Sequence, residues 1–102
     1  MNLSEKNTAI LFHILEKNFP DCRILLFGSR ATGKAKNYSD IDLAIDCNGS
    51  ALPLMKLADA KQDFVESDLP YLVDLVDLNN IDNSFKEKIL SEAKELNVIV
   101  GL

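Results

Sequence analysis

Residues 41–46 read Ile-Asp-Leu-Ala-Ile-Asp. Ile41, Leu43 and Ile45 fall on one face, and Asp42, Ala44 and Asp46 on the other. That is the period of a half-buried strand. Upstream, Cys22 to Phe27 reads Cys-Arg-Ile-Leu-Leu-Phe, a short apolar run bounded by Pro20 and Gly28. It has the character of a central strand. Between the two runs lies a long polar segment, Gly28 to Ser39, holding two of the four glycines, Arg30, Lys34 and Lys36, and no acid. Two strands joined by a basic, glycine-containing loop commit the chain to a sheet.

The rest of the pattern supplies helices. Ile10, Leu11, Ile14 and Leu15 recur at helical spacing, which predicts a helix from about Glu5 to Asn18 with Ser4 as N-cap. His13 lies beside that stripe, with no second ligand to make it a metal site. Pro53 suits a first helical turn, and a helix to about Glu66 is expected with Leu54, Leu57, Phe64 and Val65 inward. Tyr71 to Leu78, rich in Val and Leu, reads as a third strand. Ser84 and Glu87 have capping-box spacing, so a last helix is expected from there to about Leu96. Its apolar positions are Phe85, Ile89, Leu90 and Ala93. Residues 98–102 are expected as a short edge strand or a docked tail. The order of elements makes the fold mixed α/β, a small mixed sheet with helices packed mainly on one face. Pattern leaves the strand order open.

The sequence has 102 residues, enough for one domain of roughly 100–150 residues and one core. Its 47% hydrophobic and 26% charged residues are those of a folded chain rather than a disordered one. The formal charge of −5 argues against broad binding of duplex nucleic acid through phosphate neutralisation. No run approaches the roughly 20 apolar residues of a membrane span. The start, Met1-Asn2-Leu3-Ser4-Glu5, lacks the pattern of a secretory signal. A reducing cytoplasm is therefore the expected compartment, with Cys22 and Cys47 as two buried free thiols.

The chemistry concentrates in Asp40-Ile41-Asp42. Period two sets both carboxylates on one face, about 6.6 Å apart along the strand. Two such groups can share metal ions about 3.5–4 Å apart, the spacing of two-metal phosphoryl transfer. Alone, Asp-x-Asp at a strand edge is commonly a solvated feature. Gly28-Ser29 adds to it: the glycine permits a tight turn and close approach of backbone to a phosphate, and the following amides and the Ser29 hydroxyl can donate to phosphate oxygens. Gly-Ser, ten residues, then Asp-x-Asp arises by chance in roughly one chain of this length in a thousand, from ordinary residue usage. A third acid comes from Asp74 or Asp77, which strand alternation sends to opposite faces. Asp46 shares the Asp42 face but lies about 13 Å along a straight strand, and is set aside. Arg30, Lys34 and Lys36 either form a solvated loop or neutralise a bound triphosphate, Arg30 through its planar fork. Tyr38 and Ser39 are read as loop-packing residues, and Tyr71 as core.

The stretch Gly28-Ser29-Arg30-Ala31-Thr32-Gly33-Lys34-Ala35-Lys36-Asn37-Tyr38-Ser39-Asp40-Ile41-Asp42-Leu43-Ala44-Ile45, with Glu66-Ser67-Asp68-Leu69-Pro70 and Val73-Asp74-Leu75-Val76-Asp77-Leu78, resembles the minimal nucleotidyltransferases of the DNA polymerase beta superfamily. The resemblance extends over nearly the whole chain. It implies a single nucleotidyltransferase domain over residues 1–102. It implies that Gly28, Ser29 and Arg30 bind the nucleotide, and that Asp40, Asp42 and Asp74 are the catalytic metal ligands. It favours Asp74 over Asp77 and implies two Mg²⁺ ions, with ATP as substrate.

In that family the acceptor surface is commonly a separate helical HEPN protein, and many such pairs are toxin–antitoxin systems. The resemblance thus implies transfer of AMP from ATP to a hydroxyl, a tyrosine's first of all, of a HEPN toxin, a ribonuclease that the modification silences. Two alternatives stand beside it: a two-subunit transferase acting on a small molecule or another protein, and an antitoxin acting by occlusion alone. The implied partners are the HEPN-type protein and a nucleoside triphosphate, with no membrane and no nucleic-acid duplex; self-association stays open.

Overall fold

The computed structural model describes residues 1–98; of the tail expected over 98–102, residues 99–102 lie outside the described residues. The helices are α1 (Glu5–Asn18), α2 (Ser29–Thr32), α3 (Leu54–Glu66) and α4 (Asn83–Glu92). The strands are β1 (Arg23–Phe27), β2 (Ile41–Asp46), β3 (Val73–Asp77) and β4 (Lys94–Leu96), and a single 3₁₀ turn covers Leu78–Asn80. The sheet order is β3-β2-β1-β4. β1 is antiparallel to β2 and to β4, while β2 and β3 are parallel. Among the described residues no helix is long and apolar enough to cross a membrane.

Alternation along β2 builds both sides of the sheet. Ile41, Leu43 and Ile45 join Ile24, Leu26 and Leu75 under α1 and α3, where Leu11, Leu15, Ala60 and Phe64 close the main core. Leu25, Phe27 and Ala44 face the opposite way and meet Leu78 and Ile89, so α4 covers part of the second face. Asp42 and Asp74 lie on that second face.

α1 has the bounds its periodicity predicts, and Ser4 Oγ accepts from the Asn7 amide at 3.1 Å. Elsewhere the structure departs from expectation for identifiable reasons. In α3 the inward stripe is Leu57, Ala60 and Phe64. Leu54 precedes the sheet-covering turns and Val65 lies one residue round the helix from Phe64; they are 82% and 78% exposed. α4 is capped by Asp82, which accepts from the Phe85 amide at 2.9 Å, while Ser84 donates to Asp82. It stops at Glu92 because residues 94–96 pair with the free edge of β1. The loop after β1 holds one helical turn, α2, closed by Gly33 at φ +77°.

Cys22 and Cys47 are joined by a disulfide rather than being two free thiols. The register that sets Arg23 opposite Asp46 brings the next residue of each strand face to face, with Cα atoms 4.3 Å apart.

Asp77 is a structural acid. It is buried, and its carboxylate accepts from the Leu52 amide at 2.6 Å and the Asn79 amide at 3.0 Å. Asp77→Ala leaves both donors without a partner, at a cost of about 2–4 kcal/mol. A thermal melt is expected to fall by about 10 °C or more. Asp74→Ala, at an exposed position, is expected to melt near the wild type.

Candidate active site

The candidate site forms where β1 ends and β2 and β3 begin. Asp42 is the register partner of Asp74 on one side and of Phe27 on the other. Residues opposite each other in a ladder project to the same face, so the Asp42 and Asp74 carboxylates are neighbours. Asp40 precedes β2 by one residue, and the bond from the Ile41 amide to the Leu72 carbonyl, 2.9 Å, continues the ladder there. Asp40 and Asp74 are exposed, and Asp42 is half-buried.

This crowding shows in the charge state of Asp42. Partial burial first, and then the negative charges of Asp74, Asp40 and Glu92, push its carboxyl above the usual aspartate value of 3.8. Both causes disfavour the ionised form. Hard carboxylate oxygens are the donor set that Mg²⁺ takes, and a cation would relieve the repulsion. Among the described residues no three histidine, cysteine or carboxylate side chains converge into a ready-made cage. Asp40 and Asp74, being exposed, have the side-chain freedom to close on an ion.

Gly28 packs against this cluster. Its backbone has φ +72° and ψ −155°, a region essentially restricted to glycine. A Cβ there would collide with Oδ2 of Asp42. Its carbonyl accepts from the Ala31 and Thr32 amides, both at 3.1 Å, and from the Thr32 hydroxyl at 3.2 Å. Its amide donates to Oε1 of Glu92 at 3.1 Å. Ser29 follows at the head of α2, half-buried beside the turn.

Arg30, expected at the nucleotide, is engaged by the protein itself. It is buried, its Nε and Nη2 donate to the Ser39 carbonyl at 3.0 and 2.7 Å, and its guanidinium lies 4.8 Å over the Tyr71 ring. It ties the loop before Asp40 to the segment before β3. The Ser39 hydroxyl accepts from the Lys36 amide at 2.8 Å, so Ser39 does hold the loop, whereas Tyr38 is 80% exposed. Lys34 and Lys36 are exposed. Asp46 belongs to the far end of β2. The Asn79 side-chain bond chiefly, with the Gly49 amide and Arg23, holds its carboxyl below the usual range. Glu92 is a site neighbour that no sequence motif marked; the pairing of β4 with β1 brings it in.

Known proteins share the sequence pattern and the fold. The family model described as "Polymerase beta, Nucleotidyltransferase" matches residues 4–98. The "Probable protein adenylyltransferase MntA" of Haemophilus influenzae is 40% identical over 89 residues, which span 87% of this chain and 77% of that protein. A toxin–antitoxin crystal structure with AMP-PNP superposes with a TM-score of 0.70 at 29% identity, covering 87% of this chain and 71% of its own. A complex of tri-AMPylated Shewanella oneidensis HEPN toxin with MNT antitoxin gives 0.66 at 26% identity, over 91% and 71% of the two chains.

The raised pKa of Asp42 carries a definite sign. The penalty of ionising it in the fold is absent below 3.8, grows as pH rises through the interval to its folded value, and is complete above that. Asp42→Asn removes it. In metal-free buffer at neutral pH this variant is expected to melt a little above the wild type, the advantage vanishing on acidification towards the unfolded aspartate value. Melting curves across pH test this; equal melting at neutral pH contradicts the crowding.

Proposed function

The chain belongs to the polymerase beta nucleotidyltransferase family, and on that premise we propose that it moves AMP from ATP to a hydroxyl of a helical HEPN toxin, a tyrosine's in the first place, and thereby acts as its antitoxin. The observation that carries this reading is the packing of the Gly28-Ser29 turn directly on Asp42, with Asp74 alongside. Likeness to a protein adenylyltransferase and to an AMPylated toxin complex supports it. In this reading one nucleotidyltransferase domain spans residues 1–102.

Gly28 and Ser29 bind the triphosphate. The glycine lets backbone come close, and Ser29 offers its amide and hydroxyl as donors. Asp40, Asp42 and Asp74 are the residues that would hold Mg²⁺, whose charge when bound lowers the acceptor hydroxyl's pKa and balances the leaving pyrophosphate. The acceptor oxygen attacks the α-phosphorus in line, the bond to the β-phosphate oxygen breaks, and a phosphodiester remains on the acceptor. Little covalent work falls to the protein, so catalysis is positioning and charge stabilisation. Arg30 acts at one remove, setting the loop that carries Asp40. Lys34 and Lys36, on the same loop, add positive charge to a site otherwise dominated by acids. Each AMP places a negative charge on the toxin, which repels an RNA backbone as well as blocking access to it.

The test pairs the protein with its HEPN partner, ATP and Mg²⁺. Intact-mass analysis of the partner is expected to show whole AMP increments, and an RNA-cleavage assay to show loss of activity in step. Asp40→Asn, Asp42→Asn and Asp74→Ala are each expected to slow transfer by at least about 100-fold at unchanged folding. Full inhibition of an unmodified partner would replace this reading with occlusion. A modified partner that still cleaves RNA would point to another substrate.

A further inference from the structure

β4 enters beside β1 with Leu26 opposite Lys94. Continuing that register sets Phe27 opposite Ala93 and Gly28 opposite Glu92. A strand residue there would offer its backbone carbonyl to the Gly28 amide. Glu92 is instead the last residue of α4, and its side chain takes the place of the missing ladder partner, Oε1 accepting from Gly28 at 3.1 Å.

An acid at this position is disfavoured, because the C-terminal end of a helix carries partial negative charge. Glu92 is nevertheless half-buried and turned toward the site. The bond to Gly28 is what it gains. With the Gly28 carbonyl already held by Ala31 and Thr32, this bond fixes the second polar group of the residue that touches Asp42.

We propose that Glu92 is a positioning residue for nucleotide binding: its side-chain oxygen holds the Gly28 turn against Asp42 and so presents Ser29 to the phosphates. The proposal rests on the reading of the site given above and adds to it a residue from the far end of the chain. It also makes the α4–β4 junction part of the site, so the packing of β4 on β1 supports ATP binding as well as the sheet edge.

Three variants separate the bond from the charge. Glu92→Gln keeps an oxygen of the same reach without charge. Glu92→Asp keeps the charge on a shorter arm. Glu92→Ala removes both. Hydrogen exchange of the Gly28 amide, read by NMR on the free protein, is expected to be slow in the wild type and Glu92→Gln and fast in Glu92→Asp and Glu92→Ala. Titration with ATP–Mg²⁺ is expected to follow the same division. The Asp and Ala variants should bind about tenfold more weakly, the scale of one hydrogen bond, and Gln should restore most of the affinity. In transfer assays the loss should fall on KM for ATP more than on kcat. Unprotected Gly28 in the wild type, or wild-type ATP binding by both Asp and Ala variants, overturns the proposal. So does a Gln variant as weak as Ala, since the charge and not the bond would then be acting. If Glu92→Ala does not fold, Glu92→Asp decides. A wild type that binds ATP but modifies no partner would refute adenylyl transfer to a toxin, while the exchange and titration results still decide on Glu92.

Discussion

The carboxylate end of this molecule depends on β2 being an interior strand. Because β1 binds it antiparallel and β3 parallel, Asp42 is flanked at once by the end of one strand and the beginning of another. The core face of β2 is fully buried: Ile41, Leu43 and Ile45 are each 0% exposed. A slip of one residue would turn that row outward and the aspartates into the core. The hydrophobic side of β2 therefore fixes the register that brings Asp42 and Asp74 together, and the cost of crowding two like charges is borne by apolar burial on the other side of the same strand.

Around that register the polar contacts divide into two kinds. One kind fixes backbone. Arg30 spans the Ser39 carbonyl and the Tyr71 ring, Asp77 holds the segment before α3 to the end of β3, and Asp46 joins Asn79 and the Gly49 turn. These are acids and a base whose hydrogen-bonding groups are engaged by the protein itself. The other kind stands open, as Asp40 and Asp74 do, and has charge to offer a ligand. Chemical type alone does not separate the two; partners do.

Membership of the polymerase beta nucleotidyltransferase family follows from a match over residues 4–98 and from 40% identity to an MntA protein. Two further features lie at the edges of the sheet. A disulfide crosses from the start of β1 to the residue after β2, at the opposite end of those strands from the aspartates. β4 reaches the site only through the residue that precedes it by two positions.

Local pattern was enough for several features, since each depends on neighbours in sequence. Strand alternation placed Asp40 and Asp42 on one face and sent Asp74 and Asp77 to opposite ones. The capping serine and apolar stripe of α1 and the strand Ile41–Asp46 were legible for the same reason. The Gly28-Ser29 turn could be read because its glycine follows an apolar strand directly. Other features depended on partners far away in the chain. Arg30 could serve a ligand or a loop, and its bonds to Ser39 and its place over Tyr71 came only with the fold. The two cysteines were expected as free thiols because a reducing compartment was expected, and the antiparallel register that sets them face to face is not written in their spacing. The last helix stopped short of Leu96 because an unpaired edge of β1 was there to be filled. Glu92 carried no signal at all, since its partner is the Gly28 amide 64 positions earlier. Periodicity and turn chemistry act within a few residues and belong to the sequence; strand pairing joins residues that the sequence keeps apart, so the hydrogen-bond partners it creates were decided only by the tertiary structure.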